Sequence, residues 1–145
     1  MKKALIAITL SAAIVVPAMA RDTPYMIALA DVLAMPEANG KLDGSVKFFM
    51  KGQATPKVQQ RFSEDVSNRK TNGVNKEDVE GCKWAALSTL MAFQEKAKAS
   101  GANAVIDIVS YYKKHEVISS TSFECHAGAV VIGVALKGTY AKVDN

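Results

Sequence analysis

The strongest pattern in the sequence is a stripe of apolar residues spaced three or four positions apart between residues 79 and 97. This spacing places them on one face of an α-helix and predicts a long helix in the second half of the chain. Asn75 is the expected N-cap, with Asp78 three residues further on, and Gly101 is the expected C-terminal cap. We expect the missing side chain of Gly81 to let another part of the backbone approach the helix. The stripe consists of Val79, Cys82, Ala86, Leu90, Phe93 and Ala97.

A second apolar stripe, formed by Trp84, Leu87 and Met91, lies on a different side of the same predicted helix. Large exposed apolar patches are rare on monomeric proteins, so something must cover these side chains. We expect the N-terminal segment, residues 21–44, to cover them in a monomer. The alternative is that another protein covers them, which would make the stripe an interaction surface.

Three other segments have the composition of β-strands. Residues 45–50 and 103–112 are rich in β-branched and aromatic side chains. Regular alternation in the second of these would place Ala104, Ile106, Ile108 and Tyr112 on one face and Val105, Asp107, Val109 and Tyr111 on the other. Residues 127–136 are apolar on both faces, which predicts a central strand. Residues 138–143 either continue this strand or pair beside it.

The segment from residue 57 to residue 67 is ambiguous. Val58, Phe62 and Val66 recur every fourth residue, which favours a helix. A strand through residues 62–67 is the alternative, and residues 67–73 are predicted to form a polar loop.

Nearer the N-terminus, residues 25–34 are compatible with a short helix that ends before Pro36. Together these elements predict a single domain of the α/β class, or α+β in stricter terms. We expect one sheet of three to five strands, the long helix packed on it, and the N-terminal segment on its second face.

The first 20 residues have the pattern of a secretory signal peptide. Lys2 and Lys3 precede an apolar run over residues 4–16, and Ala18 and Ala20 form a small-residue cleavage site. The apolar run is shorter than the roughly 20 residues that span a membrane, and no later segment reaches that length. We therefore expect cleavage before Arg21 and a soluble periplasmic protein without a lipid anchor, since no cysteine follows the cleavage site.

Charge and cysteine content narrow the possibilities further. Of the 18 Lys and Arg residues, 16 remain without Lys2 and Lys3, against 14 acidic residues. This small excess gives no indication of a nucleic-acid or membrane partner. In an exported protein, Cys82 and Cys125 are expected to form a disulfide. The bond would close a loop of roughly 44 residues and contribute about 4 kcal/mol in the chain-entropy model.

Two groups of residues are candidates for chemistry or binding. His115, Glu124 and His126 are a weak alternative set of metal ligands, because the chain lacks the close His or Cys spacing of common metal sites. Tyr111, Lys113 and Lys114 form a basic and aromatic patch that suits an anionic envelope polymer or a partner protein. A solvated turn at the end of a strand is the simpler interpretation of this patch. The sequence predicts no catalytic residue and no cofactor.

The helix-to-strand passage over residues 94–108 and the Gly/Ala-rich strand over residues 128–136 resemble the YbjQ-type domain. They also resemble the signalling domain of the Rcs envelope-stress sensor lipoprotein. The resemblance covers residues 62–143, and we assign residues 45–145 to such a domain. It aligns Cys82 and Cys125 with one of the sensor's two disulfides, whereas Ser110 and Val131 stand at the positions of the second.

As a whole, the chain is similar to small exported proteobacterial proteins of unknown role, some of which carry the name "excinuclease ATPase subunit". The name does not fit the residues, because the chain contains no phosphate-binding G-x-x-x-x-G-K-[ST] loop. We expect a non-enzymatic binding or interaction module of the cell envelope, with a role in envelope stress implied by the resemblance. The partner would be an envelope protein or a cell-wall component. The alternative is a periplasmic protein that binds a small ligand or a metal.

Overall fold

The computed structural model describes residues 14–15 and 20–145, so the predicted signal peptide lies almost entirely outside the described residues. The described chain is a mixed α+β fold with one long helix against a curled sheet. The sheet has six strands in the described residues, more than the three to five expected. They are β1 (Thr23–Ala28), β2 (Lys47–Met50), β3 (Val58–Asn72), β4 (Ala104–Ser110), β5 (Ser122–Ala127) and β6 (Val131–Val143). The helices are α1 (Leu29–Leu33) and α2 (Asp78–Ala99), with single 3-10 turns at Pro36–Ala38 and Tyr112–Lys114.

Strand β6 is the centre of the sheet, whose order is β1-β5-β6-β4-β2 with β3 also paired to β6. Antiparallel β3 follows β6 over its whole length, while β4 pairs with its second half. β5 pairs with β1 over its whole length and with β6 only through His126 and Ala127. β6 therefore pairs first with β5 and then with β4, and the sheet splits between these two strands near the end of β4. There the Ser110 hydroxyl accepts a hydrogen bond from the Glu124 N–H over 2.7 Å.

Helix α2 supplies one side of the main hydrophobic core, as its apolar stripe predicts. Five of the six stripe residues are buried, whereas Val79 is 41% exposed because it lies in the first turn. The predicted N-cap is wrong. Asn75 lies in the preceding turn with φ 61°, and Glu77 occupies the cap position. Gly101 has φ +78° and ends the helix as predicted, with the Ala102 N–H donating back to Ala97.

The approach at Gly81 comes from a side chain rather than from backbone. A Cβ atom at this position would lie 2.3 Å from Cδ1 of Ile132, a fully buried residue of β6. The same region of α2 carries the disulfide, which is confirmed. Cys82 and Cys125 are bonded, both are completely buried, and their Cα atoms are 5.7 Å apart. The bond therefore ties α2 to β5.

The helix favoured for residues 57–67 is wrong, because these residues belong to β3. A spacing of four is a multiple of the strand period of two, so it fits a strand as well as a helix. Register shifts near Val58 and Phe62 then place these two side chains in different clusters on opposite faces of the sheet. The predicted polar loop over residues 67–73 is also wrong, since β3 continues regularly to Asn72.

The predicted alternation of β4 fails at Asp107. This residue has φ 53°, and the pairing with β6 shifts register between Ile106 and Val109. Ile108 consequently joins Val105 in the main core, whereas Ile106 lies in the second cluster. Such bulges insert one residue and reverse the faces of the residues that follow. Regular alternation could not predict this reversal.

Residues 127–136 are divided between two strands and the turn that joins them, and residues 131–136 belong to the central strand β6, as predicted. β5 ends at Ala127 and β6 begins at Val131, with the Gly128 N–H donating to the Val131 carbonyl over 2.8 Å. β6 then continues to Val143, one of the two expected arrangements of residues 138–143.

The N-terminal segment does contain a short helix, α1, but it does not cover the second face of the sheet as expected. β1 extends the sheet at its edge, and α1 packs against α2, on the side of the main core. No helix in the described part of the chain has the length and apolarity needed to cross a bilayer.

Candidate functional site

Asp22, Tyr112 and His126 form a compact polar cluster beside the hairpin between β5 and β6. The Tyr112 ring stacks on the His126 imidazole, with ring centroids 3.5 Å apart and planes 12° from parallel. The Tyr112 hydroxyl donates to Oδ2 of Asp22 over 2.8 Å. Nδ1 of His126 lies 2.9 Å from Oδ1 of the same carboxylate. One carboxylate therefore holds both rings in place.

Pairing of the strands brings these distant residues together. Thr23 pairs with Ala127, so the residue before β1 lies beside the end of β5. Tyr112 reaches the same place from the 3-10 turn after β4. Lys113 and Lys114 follow in left-handed conformations, with φ 50° and φ 64°. Two successive non-glycine residues in this region are strained, a feature that is concentrated at functional sites.

The cluster fixes the charges of its members. The hydrogen bond from Tyr112 lowers the pKa of Asp22, and His126 and Lys113 lower it further, against the opposing effect of burial. Burial and the Asp22 carboxylate raise the pKa of Tyr112. Tyr112 and Asp22 raise the pKa of Lys113, whose ammonium group is 3.5 Å from the Asp22 carboxylate. At neutral pH the cluster thus contains an ionised aspartate, a neutral tyrosine and a charged lysine.

A pocket of about 330 Å³ opens beside this cluster. Its lining includes three basic residues, Arg21, Lys70 and Lys113, and one acidic residue, Asp22. The stem of Lys70 lies over Gly133 of β6, because a Cβ atom there would be 3.4 Å from Cγ of Lys70. The absent side chain at Gly133 thus lets Lys70 cross β6 towards His126. We call this the cationic pocket.

The remaining nitrogen of His126 faces the protein interior. Nε2 is buried and has no hydrogen-bond partner among the described residues, with Oε2 of Glu124 3.6 Å away. His115, the third member of the predicted metal set, is exposed after the 3-10 turn. The described residues contain no group of three His, Cys, Asp or Glu side chains placed to hold a metal ion. His115, Glu124 and His126 are therefore not brought together as a ligand set.

The residues predicted as an interaction surface lie in separate places. Leu87 is fully buried, and Trp84 and Met91 are half-buried against the main core. Tyr111 is half-buried, with the Lys137 ammonium 5.0 Å from its ring centroid. Lys113 lines the cationic pocket, whereas Lys114 is exposed.

Sequence reasoning missed Arg21, Asp22 and Lys70, all of which line the pocket. Lys70 lay in a segment assigned to a loop. Tyr112 belonged to the basic and aromatic segment, residues 111–115, but was assigned to a strand. For Asp22 the single available signal was its position next to the predicted cleavage site.

A second concave surface lies at the outer edge of β2. This groove of about 570 Å³ is mainly apolar and runs between the segment after α1 and the strand itself. Its lining includes Leu33, Leu42 and Phe48, and Lys47 is its one charged residue among those described.

Comparisons of the chain with models of protein families, with curated proteins and with solved structures found no match. The resemblance to the YbjQ-type domain therefore stays a prediction from the sequence.

Proposed function

We propose that this protein is a non-enzymatic binding module of the cell envelope that binds an anionic group in the cationic pocket. The observation that supports this most directly is the convergence of two lysines from separate parts of the chain on one pocket. Lys70 lies on β3 and Lys113 follows β4, whereas the guanidinium of Arg21, which also lines the pocket, is paired with Asp78. The one carboxylate of the lining already interacts with Tyr112, His126 and Lys113. Its charge is therefore largely compensated, and it repels an incoming anion little.

The same contacts favour binding over acid–base catalysis. A general acid or base works best with a pKa near the working pH. The pKa of Asp22 is shifted down and that of Tyr112 is shifted up, so both move away from neutrality. His126 uses Nδ1 on Asp22, and its Nε2 is buried. The cluster positions Lys113, whose ammonium group lies 3.5 Å from the Asp22 carboxylate and 5.0 Å from the centroid of the Tyr112 ring. The envelope location and the link to stress depend on the leader pattern and the family resemblance.

Binding of small oxyanions tests this proposal. Inorganic phosphate and acetate are titrated into the protein that begins at Arg21, with melting temperature and calorimetric affinity as readouts. A ligand that binds the native state raises the melting temperature by an amount that grows with the logarithm of its concentration relative to Kd. We expect Lys70→Gln and Lys113→Gln each to weaken phosphate binding about fivefold, the effect of one unit charge about 4 Å away in water.

Lys57→Gln is the matched control, because it removes the same charge at the opposite, exposed end of β3. It should leave phosphate affinity within about twofold of the wild type, since surface charges beyond about 10 Å are screened in 0.1 M salt. Equal losses in all three variants would show non-specific attraction and refute a defined site. A wild-type protein that shows no change in melting temperature and no calorimetric binding with either anion would also refute a defined site.

The groove beside β2 supports the second candidate, a small-ligand protein. Large, mainly apolar concavities with few polar groups are the usual form of small-molecule sites. Binding of a fluorescent fatty acid should then depend on Leu42, and Leu42→Asp should abolish it without affecting phosphate binding. Unchanged fatty-acid binding in this variant would exclude the groove.

A further inference from the structure

The peptide bond between Ala20 and Arg21 lies at the wall of the cationic pocket. Ala20 and Arg21 both line the pocket. The Arg21 carbonyl packs against the hairpin, where a Cβ atom at Gly128 would lie 3.2 Å from the carbonyl oxygen. Glycine at position 128 thus permits the close approach of the N-terminal strand. The backbone of residue 21 is consequently part of the pocket.

Residue 21 is held on both sides by neighbouring contacts. The Arg21 guanidinium forms an ion pair with Asp78 in the first turn of α2. Asp22 is bound by Tyr112 and His126, and β1 begins directly after it. The Arg21 side chain is therefore directed to α2, while Ala20, the residue joined to its backbone nitrogen, lines the pocket. The first strand of the described chain, β1, begins two residues after Arg21.

Cleavage after Ala20 would change the charge of this wall. Hydrolysis adds water across the Ala20–Arg21 peptide bond, leaving a carboxylate on the departing leader and an amine on Arg21. An unperturbed α-amino group has a pKa of about 7.7–8.0, so most of it is protonated at pH 7. The lining would then gain a cation beside Lys70 and Lys113. The uncleaved chain has a neutral amide at the same point.

We propose that the α-ammonium group of Arg21 is a direct contact for the bound anion, so that removal of the leader completes the site. This inference depends on the proposed function, since it names a further group in the same pocket. The ligand is a phosphate or carboxylate group, recognised by the α-ammonium group together with Lys70 and Lys113. Full affinity appears only in the processed protein.

Three forms of the otherwise unchanged protein test the inference. The first begins at Arg21 with a free amine, the second is the same chain with its α-amine acetylated, and the third retains Ala20. Acetylation removes the charge and restores an amide, whereas the extra alanine displaces the charge by one residue. We expect acetylation to weaken phosphate binding about fivefold, and retention of Ala20 to give an intermediate loss. Acetylation of the α-amine should weaken acetate binding less than phosphate binding, because phosphate carries more charge.

Titration of the amine gives a second readout that a purely structural role would not change. The α-amine of the first form is followed by NMR after selective 13C-methylation, which preserves its charge. Saturating phosphate should raise the pKa of this amine, and phosphate affinity should fall as the pH rises above about 8 in the form that begins at Arg21 but not in the acetylated form. Circular dichroism confirms that the acetylated form keeps the fold.

The outcomes separate the inference from the proposed function. Equal phosphate affinity in the free and acetylated forms would overturn the inference and leave the cationic pocket intact. Absence of phosphate and acetate binding in every form would overturn both. An intact mass for the exported protein that places its first residue elsewhere would also overturn the inference.

Discussion

The contact between Gly81 and Ile132 makes a quantitative prediction about how α2 packs on the sheet. A Cβ atom at residue 81 would lie 2.3 Å from Cδ1 of Ile132, more than 1 Å inside ordinary van der Waals contact. Overpacking of this kind costs about 1–3 kcal/mol, and we take about 2 kcal/mol. Alanine in place of glycine stabilises a helix interior by about 1 kcal/mol. Gly81→Ala should therefore lower the free energy of unfolding by about 1 kcal/mol.

Ile132→Val removes the clashing atom. The two remaining neighbours, Cγ1 and Cβ of residue 132, would lie 3.5 and 3.7 Å from the new Cβ atom, which are ordinary contacts. Alone, Ile132→Val should cost about 1 kcal/mol, because it leaves a small cavity. In the double variant the clash is absent, the helix gain remains and the cavity is partly filled, so stability should approach that of the wild type. The coupling energy should be about 2 kcal/mol in favour of the pair.

Urea unfolding followed by circular dichroism measures this cycle, because the helix signal does not depend on the neighbouring Trp84. All four proteins should unfold with similar denaturant slopes, so that midpoints report stability. Additive single effects, or a Gly81→Ala variant more stable than the wild type, would contradict the packing described here.

Three further predictions concern other features. Cys82→Ala and Cys125→Ala should lower the free energy of unfolding by similar amounts, up to about 4 kcal/mol. The double variant should lose hardly more, because the same bond is lost in each case. Free thiols in the native protein would contradict this prediction. Asp107→Gly should unfold with near wild-type stability, whereas Asp107→Val should lose about 1–2 kcal/mol, since glycine and aspartate adopt φ 53° at much lower cost than a β-branched residue. The folded-state pKa of Asp22 is below its unfolded value, so its stabilisation is present above about pH 4 and is lost as the pH falls through the folded pKa. The stability difference between wild type and Asp22→Asn in acid titrations should therefore shrink below pH 4, and a constant difference would refute the role of Tyr112 and His126 as partners of Asp22.

The parts of the fold that were predicted correctly are those in which local pattern and burial agree. The residues of the stripe from Cys82 to Ala97 recur at helical spacing, and all of them are buried in the core. Gly101 ends the helix for a local reason, its positive φ. The disulfide followed from the presence of only two cysteines. Each of these features requires no knowledge of which strands are neighbours.

The failures have a common physical origin in strand pairing. The long polar strand β3 buries Ser67 as the sole fully buried residue among its 15, so it lacks the apolar alternation by which strands are recognised. Its stability comes from antiparallel pairing with β6. The bulge at Asp107 likewise exists because two strands of different register meet. No local sequence signal reports either pairing.

For the same reason, only some residues of the candidate site could be recognised in the sequence. Lys113 and His126 were noticed because basic and imidazole side chains are conspicuous in any sequence. Their partner Asp22 is 104 residues from His126 and meets it only through the pairing of β1 with β5. A pocket made by such pairing is a property of the sheet, and it becomes predictable only when strand order is known.

The disulfide between α2 and β5 also determines how the molecule would respond to mechanical tension. Its cysteines are 43 positions apart in sequence, yet the bond fixes their Cα atoms 5.7 Å from each other. When the chain is pulled from its two ends, the residues between the cysteines therefore cannot extend. This shortens the fully extended chain by roughly 150 Å, at about 3.5 Å per residue. The loop between the cysteines contains most of α2, all of β4 and the turn that carries Lys113. Under load, β1 and β3, which lie outside the disulfide loop, can be drawn out to full extension. The loop between the two cysteines is shielded from the force until the sulfur–sulfur bond is reduced.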